Sequence, residues 1–144
     1  MSLFEGLDVI KIKLYYTVKK EDNITRLVIL SDEKAEEMLE NEETKDSVEV
    51  LNTTWKTMNW KDNNEIMKAA TNSNNPITGV TEFSLVAHRD ITIKRCLQGW
   101  DLTEDGQNVP VTPQNIDRLP VNIIRSIYNK YDEIINYTEE EMGK

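Results

Sequence analysis

The sequence predicts an α+β fold, and three features carry that reading. Apolar and polar residues alternate near the start, two short runs further on are rich in β-branched residues, and apolar positions from residue 81 onward recur at steps of three and four. The expected architecture is a set of N-terminal antiparallel strands, a hairpin plus a third strand, packed with a C-terminal group of three to four helices. At 144 residues the chain suits one domain, 1–144, able to bury about two-thirds of its unfolded surface. Within it, residues 1–57 read as strand-rich with one acidic helix, 58–137 as helical and 138–144 as a polar tail.

The first strand comes from Ile10, Ile12, Leu14, Tyr16 and Val18 alternating with Lys11, Lys13, Tyr15 and Thr17, the period of a half-buried strand. The polar cluster 19–23 reads as a turn, and ITRLVIL after it completes a hairpin. Ser31 can cap a helix whose first turn carries Asp32 and Glu33, with Ala35, Met38 and Leu39 as a thin apolar stripe. Seven acidic residues between positions 32 and 43 face only Lys34 in opposition, which predicts a solvated helix rather than an acidic docking face.

Residues 47–57, SVEVLNTTWKT, read as the third strand, and 60–71 as a short helix with Trp60, Met67 and Ala70 inward. Trp55 and Trp60 are both expected in the core, because buried aromatics dominate small cores. TNSNNPITG reads as a loop by composition. Thr81 can cap a helix over 81–98 that buries Phe83, Val86, Ala87, Ile93, Cys96, Leu97 and Trp100, with Gly99 placed to end it. The last helix starts at Pro120 and buries Ile124, Ile127, Tyr128, Tyr131, Ile134 and Ile135.

Charge and composition exclude several functions. The net charge of -9, from 26 acidic and 17 basic side chains, opposes binding to a nucleic-acid backbone or an anionic membrane. No apolar run approaches the roughly 20 residues of a membrane span, and MSLFEGLDVIKIK lacks a basic segment followed by an apolar one, so a cytosolic protein is expected. One cysteine, Cys96, excludes an internal disulfide, and one histidine, His88, excludes the common zinc sites. Cys96 falls on the buried stripe without an orienting partner and reads as a small core residue, while His88 beside Arg89 and Asp90 reads as a boundary residue. The N-x-T sequons at Asn23, Asn52 and Asn136 are incidental in a chain rich in Asn and Thr.

The segment 99–120, GWDLTEDGQNVPVTPQNIDRLP, raises the question of a calcium site. Asp101, Thr103, Asp105 and Gly106 fit positions one, three, five and six of an EF-hand loop. Position nine is Val109, Pro110 follows, and position twelve is Thr112 where a bidentate glutamate must close the site. Asp101, Glu104 and Asp105 also lack an apolar pocket that would separate their pKa values for acid and base work. The reading is a rigid connector between two helices: Asp105 and Gly106 form a turn, Val109 and Val111 flank Pro110 in extended chain, and Thr112 with Pro113 opens a helical turn before Pro120. No catalytic residue, metal site or cofactor site is legible, and no enzyme is expected.

The order Leu97, Trp100, the Asp105–Gly106 turn, then VPVTPQNIDRLP and an amphipathic helix resembles the tail assembly chaperones encoded among the tail genes of tailed bacteriophages. TTWKTMNWKDNNEI, with its paired tryptophans, is similar to the preceding part of the same proteins, so the resemblance covers about residues 48–137. It implies a non-enzymatic role in the host cytoplasm, keeping the helical tape-measure protein soluble while tube subunits polymerise around it, with other tail components and copies of itself as further partners. The physical requirement is an apolar groove rimmed by charge. The alternatives are a permanent component of the phage tail or neck and, remotely, a small-molecule enzyme. Trp55, Trp60, Trp100, Asp105, Gly106, Pro110, Pro113 and Pro120 are the candidate structural or interaction residues.

Overall fold

The computed structural model describes residues 9–72 and 82–136, and their fold is α+β. Strands β1 (Val9–Glu21), β2 (Ile24–Leu30), β3 (Glu49–Lys56) and β6 (Leu97–Trp100) form one antiparallel sheet in the order β2-β1-β3-β6. Helices α1 (Asp32–Glu40), α2 (Trp60–Ala70), α3 (Leu85–Cys96), α4 (Pro113–Asp117) and α5 (Val121–Ile135) are joined by a short 3-10 turn, Lys45–Ser47, and two small ribbons, β4 (Thr71–Asn72) with β5 (Glu82–Phe83) and β7 (Thr103–Glu104) with β8 (Gln107–Asn108).

The hairpin is tighter than its sequence implies. The turn read over 19–23 is confined to Asp22 and Asn23, with φ of 45° and 69°: β1 continues to Glu21, which lies opposite Ile24. Two central residues with positive φ match the right-handed twist of the flanking strands. β2 stops with Leu30 opposite Tyr15, so residues 9–14 of β1 have β3 on one side only. Lys130 of α5 donates to the Lys13 carbonyl at 2.8 Å and pairs with Asp32 at 2.9 Å, which blunts that edge.

One face of the sheet carries the core. Ile12, Leu14, Leu51, Trp55 and Leu97 meet Ile66, Ile93, Cys96, Ile116, Ile123, Ile127 and Tyr131 from α2 to α5. The polar groups there are satisfied: Trp55 Nε1 donates to Thr53 Oγ1 at 2.8 Å, and that hydroxyl donates to the Ile12 carbonyl at 2.9 Å. On the opposite face of the hairpin, buried Thr17 and Leu30 accompany fully buried Ala35 of α1, a helix that contacts both β1 and β2.

Four expectations need correction. The helix expected over 81–98 ends at Cys96, and Leu97–Trp100 leaves it as a strand on β3, so Gly99 lies in a strand and the connector runs from strand to helix. Its cap is Ser84, whose hydroxyl accepts from Ala87 N–H at 3.1 Å; Thr81 lies outside the described residues, Phe83 precedes the helix and is exposed, and Val86 is 76% exposed. Trp60, at the first position of α2, is 76% exposed and Met67 is exposed too; the buried positions of that helix are Asp62, Ile66 and Ala70. Leu39 and Ile134 face solvent, while Ile123, passed over in the sequence, is buried with Ile127 and Tyr131 at steps of four.

A candidate interaction groove

The punctuated segment 99–120 sets α4 and α5 against α3. Trp100 Nε1 donates to the Val109 carbonyl at 2.5 Å, tying the end of β6 to the chain beyond the β7–β8 ribbon. Asp105 and Gly106, at φ 52° and 78°, form the ribbon's turn. Thr112 caps α4 by accepting from Asn115 N–H at 3.1 Å, Pro113 takes the first helical turn, and Asn115 Nδ2 donates to the Pro110 carbonyl at 2.9 Å. Pro120 precedes the first residue of α5. Every candidate residue after Trp60 therefore belongs to one scaffold, whereas Trp55 is in the core and Trp60 stands apart on the surface.

The acids of that segment are engaged separately. Both oxygens of Asp101 are held by Asn52, from its N–H at 3.1 Å and its Nδ2 at 2.7 Å. Glu104 pairs with Arg118, which also donates to Asn115 Oδ1 at 3.0 Å. Among the described residues no group of three or more His, Cys, Asp or Glu side chains is arranged to hold a metal ion.

The scaffold opens a groove of about 330 Å³ where α3, the end of α4 and the start of α5 meet. Val86, Ile93, Ile116, Leu119, Val121 and Ile124 supply its apolar lining, and the helices that carry them leave Val86 and Val121, the latter 61% exposed, open to solvent. Arg89, Asp90, Asp117 and Arg125 complete the lining. Lys94 takes both carboxylates, at 3.2 Å from Asp90 and 2.8 Å from Asp117, and its pKa is raised by the bond to Asp117 first, against the opposing effect of burial. Arg89 and Arg125 have no ion pair among the described residues; the Arg89 guanidinium lies 5.9 Å from the Tyr128 ring. The spare charge of the groove is positive in a protein of net charge -9.

A larger concavity, about 630 Å³, lies on the uncovered face of the sheet over Lys11, Lys13, Asn52, Thr54, Gly99 and Asp101. It is the solvated face of an antiparallel sheet, and Asn52 already holds its one carboxylate. Its surface lacks the exposed aliphatic anchors that distinguish the helical groove.

The buried charges form a third cluster. Asp62, 2% exposed, accepts from Lys56 Nζ at 2.7 Å, Arg95 Nε at 2.8 Å and Asn59 N–H at 3.2 Å, while Asn59 Oδ1 caps Asp62 N–H at 2.8 Å. Burial pushes the carboxyl pKa up, and the bonds from Lys56 and Arg95 overcome it, holding the group at about 2. Cys96 is fully buried, with its pKa raised chiefly by burial, and Tyr131 donates its hydroxyl to the Lys56 carbonyl at 2.8 Å. An aspartate fixed as an anion and a thiol kept neutral suit a brace across β3, α2 and α3, not proton transfer or nucleophilic attack. Sequence reasoning missed Asp62 because an acid in a polar run reads as solvated.

Compared with known protein families, with curated proteins and with solved structures, the chain matches none. No described helix is long and apolar enough to cross a membrane.

Proposed function

We propose that this protein is a non-enzymatic morphogenesis protein of a tailed bacteriophage, a tail assembly chaperone acting in the host cytoplasm. Its task is to hold the tape-measure protein soluble until tube subunits enclose it. The observation that carries the reading is the apolar groove between α3, α4 and α5, open at Val86 and Val121 and rimmed by arginine and aspartate. Exposed contiguous apolar surface with a charged rim is the form expected of a protein-binding site. The residues behind the family resemblance, Trp100, Asp105, Gly106, Pro110, Pro113 and Pro120, are those that orient α4 and α5 around this groove.

The test is co-expression with the tape-measure protein of the same tail-gene cluster. The soluble fraction of that protein should rise with the wild-type chain and fall back with Val121→Glu, whose side chain is exposed and should leave the fold intact. A soluble fraction indifferent to the wild-type chain overturns the reading. Mass spectrometry of purified virions separates the chaperone from a permanent tail or neck component: absence from the particle supports the former, many copies the latter.

A further inference from the structure

We infer that the groove takes an amphipathic helix whose apolar stripe is flanked by carboxylates. The inference rests on the chaperone reading only in treating the groove as a binding site; the chemistry of the occupant comes from the groove itself. Its walls are helices and the connector before α5, with no sheet strand among its lining residues. An extended peptide would find no strand edge there to satisfy its N–H and C=O groups, whereas a helix brings its own hydrogen bonds and presents side chains at steps of three and four. The exposed anchors Val86 and Val121 sit at the starts of α3 and α5 and offer aliphatic contact to such a stripe.

Charge then selects the flanks. Lys94 bridges Asp90 and Asp117 and offsets one of their two negative charges, and Arg89 with Arg125 outweighs the other, so the groove as a whole favours an anion over a cation. Arg89 and Arg125 remain unpaired among the described residues, and neither α3 nor α5 carries an acid in its first turn. A guanidinium favours bidentate contact with a carboxylate, and Arg89 is near enough to the Tyr128 ring for its position to be restrained. Glutamate or aspartate beside the apolar stripe complements this rim; lysine there meets like charge.

Two synthetic helical peptides of equal length test the proposal. Both carry leucine at every third or fourth position, with glutamate at the flanking positions of one and lysine at those of the other, and each is titrated calorimetrically into the full chain. The glutamate peptide should bind at least about tenfold more tightly, with the preference shrinking as salt is raised. Arg89→Gln with Arg125→Gln should abolish the preference, and Val121→Glu should weaken the glutamate peptide about tenfold or more. Because Arg89 lies over Tyr128, Arg125→Gln alone is measured beside the pair, with circular dichroism and urea midpoints to establish folding.

Equal or tighter binding of the lysine peptide, no binding of either peptide, or a preference that survives in folded arginine variants overturns the proposal. Self-association abolished by Val121→Glu but indifferent to the glutamate peptide would assign the groove to a second copy of this chain and overturn it as well. If the peptides discriminate while the tape-measure protein is not solubilised, the chaperone reading fails and the groove chemistry stands. Solubilisation without peptide discrimination keeps the chaperone reading and overturns the groove chemistry.

Discussion

The indole of Trp55 and the phenol of Tyr131 stack with ring centroids 4.5 Å apart and planes inclined by 19°. Both are fully buried, and the Tyr131 hydroxyl reaches the Lys56 carbonyl at 2.8 Å, so one residue of α5 fastens the last helix to the strand at the centre of the core. Trp55→Ala should cost about 3 to 5 kcal/mol as a large core truncation. Tyr131→Phe keeps the stacked ring and should cost about 1 to 2 kcal/mol for the lost hydrogen bond. Trp60→Ala, by contrast, should stay within about 0.5 kcal/mol. Urea midpoints of the three variants check this order, and a Trp60 effect equal to that of Trp55 would contradict the exposure of α2's first residue.

Asp62 gives the protein a specific acid sensitivity. Its folded pKa of about 2 lies below the ordinary 3.8, so the unfolded chain takes up the proton first as pH falls. The stabilisation is fully present above pH 4 and is lost as pH drops through the window from about 4 to 2. Its size is on the order of 2 kcal/mol. In Asp62→Asn this part of the pH dependence should vanish, and the variant should lose about 3 to 5 kcal/mol because Lys56 and Arg95 face an uncharged partner. Denaturant melts of both proteins between pH 2 and pH 7 measure the difference; parallel curves would remove Asp62 from the account.

Cys96 should behave as a packed core residue. Its thiol is fully buried and held neutral chiefly by that burial, so reaction with a thiol reagent should proceed only as fast as the protein opens. Cys96→Ala should remain folded, and Cys96→Ser should be the less stable of the two because it places a hydroxyl where sulfur packed. Rapid labelling in buffer, at a rate indifferent to added urea, would identify an accessible thiol instead.

Periodicity locates the hairpin, the third strand and the last helix because each buries one face over several repeats. It fails at Cys96. Ile93, Cys96, Leu97 and Trp100 keep helix-like spacing although the chain has become a strand, and Leu97 is buried in either geometry. What decides the matter is the edge of β3, which takes Gly99 opposite Thr54 and Leu97 opposite Trp55 with a register shift between them. That is a tertiary choice, invisible to a local window. The groove hides for a similar reason: Val86 and Val121 are apolar residues at helix starts that ordinarily mean burial, and only the tertiary structure shows them exposed. Trp60 misleads because Asn59 begins α2 as a capping box with Asp62, which turns the first helical residue outward and the acid inward.

Both tight turns favour glycine, so introducing it at one and removing it from the other should change stability with opposite signs. Asn23 adopts φ 69° in the β1–β2 turn, a conformation that costs an L-residue energy and glycine very little, so Asn23→Gly should leave stability unchanged or raise it by up to about 1 kcal/mol. Gly106 sits at φ 78° with open space where a Cβ would be, so Gly106→Ala should cost about 1 kcal/mol through backbone strain alone. Thermal midpoints of both variants check the signs. A harmless Gly106→Ala would mean that the β7–β8 turn does not hold its positive φ.

The connector stands on Trp100 and Asp101, two neighbours with different work. Trp100 is half-buried and donates to the Val109 carbonyl, so Trp100→Phe should lose about 1 kcal/mol and Trp100→Ala about 2 to 3 kcal/mol, less than truncation at fully buried Trp55. Asp101 accepts two bonds from Asn52 across the β3–β6 pairing, so Asp101→Asn should cost about 1 kcal/mol, while Asp105→Asn, at an exposed turn position that asparagine also adopts, should cost a few tenths. Because α4 and α5 hang from this connector, the proposed chaperone function requires that any loss of tape-measure solubilisation follow the stability ranking, with Trp100→Ala worst and Asp105→Asn nearly silent. Urea midpoints set beside the tape-measure co-expression assay make the comparison. A stable Asp105→Asn variant that abolishes solubilisation would transfer the partner contact from the α3–α5 groove to the β7–β8 turn.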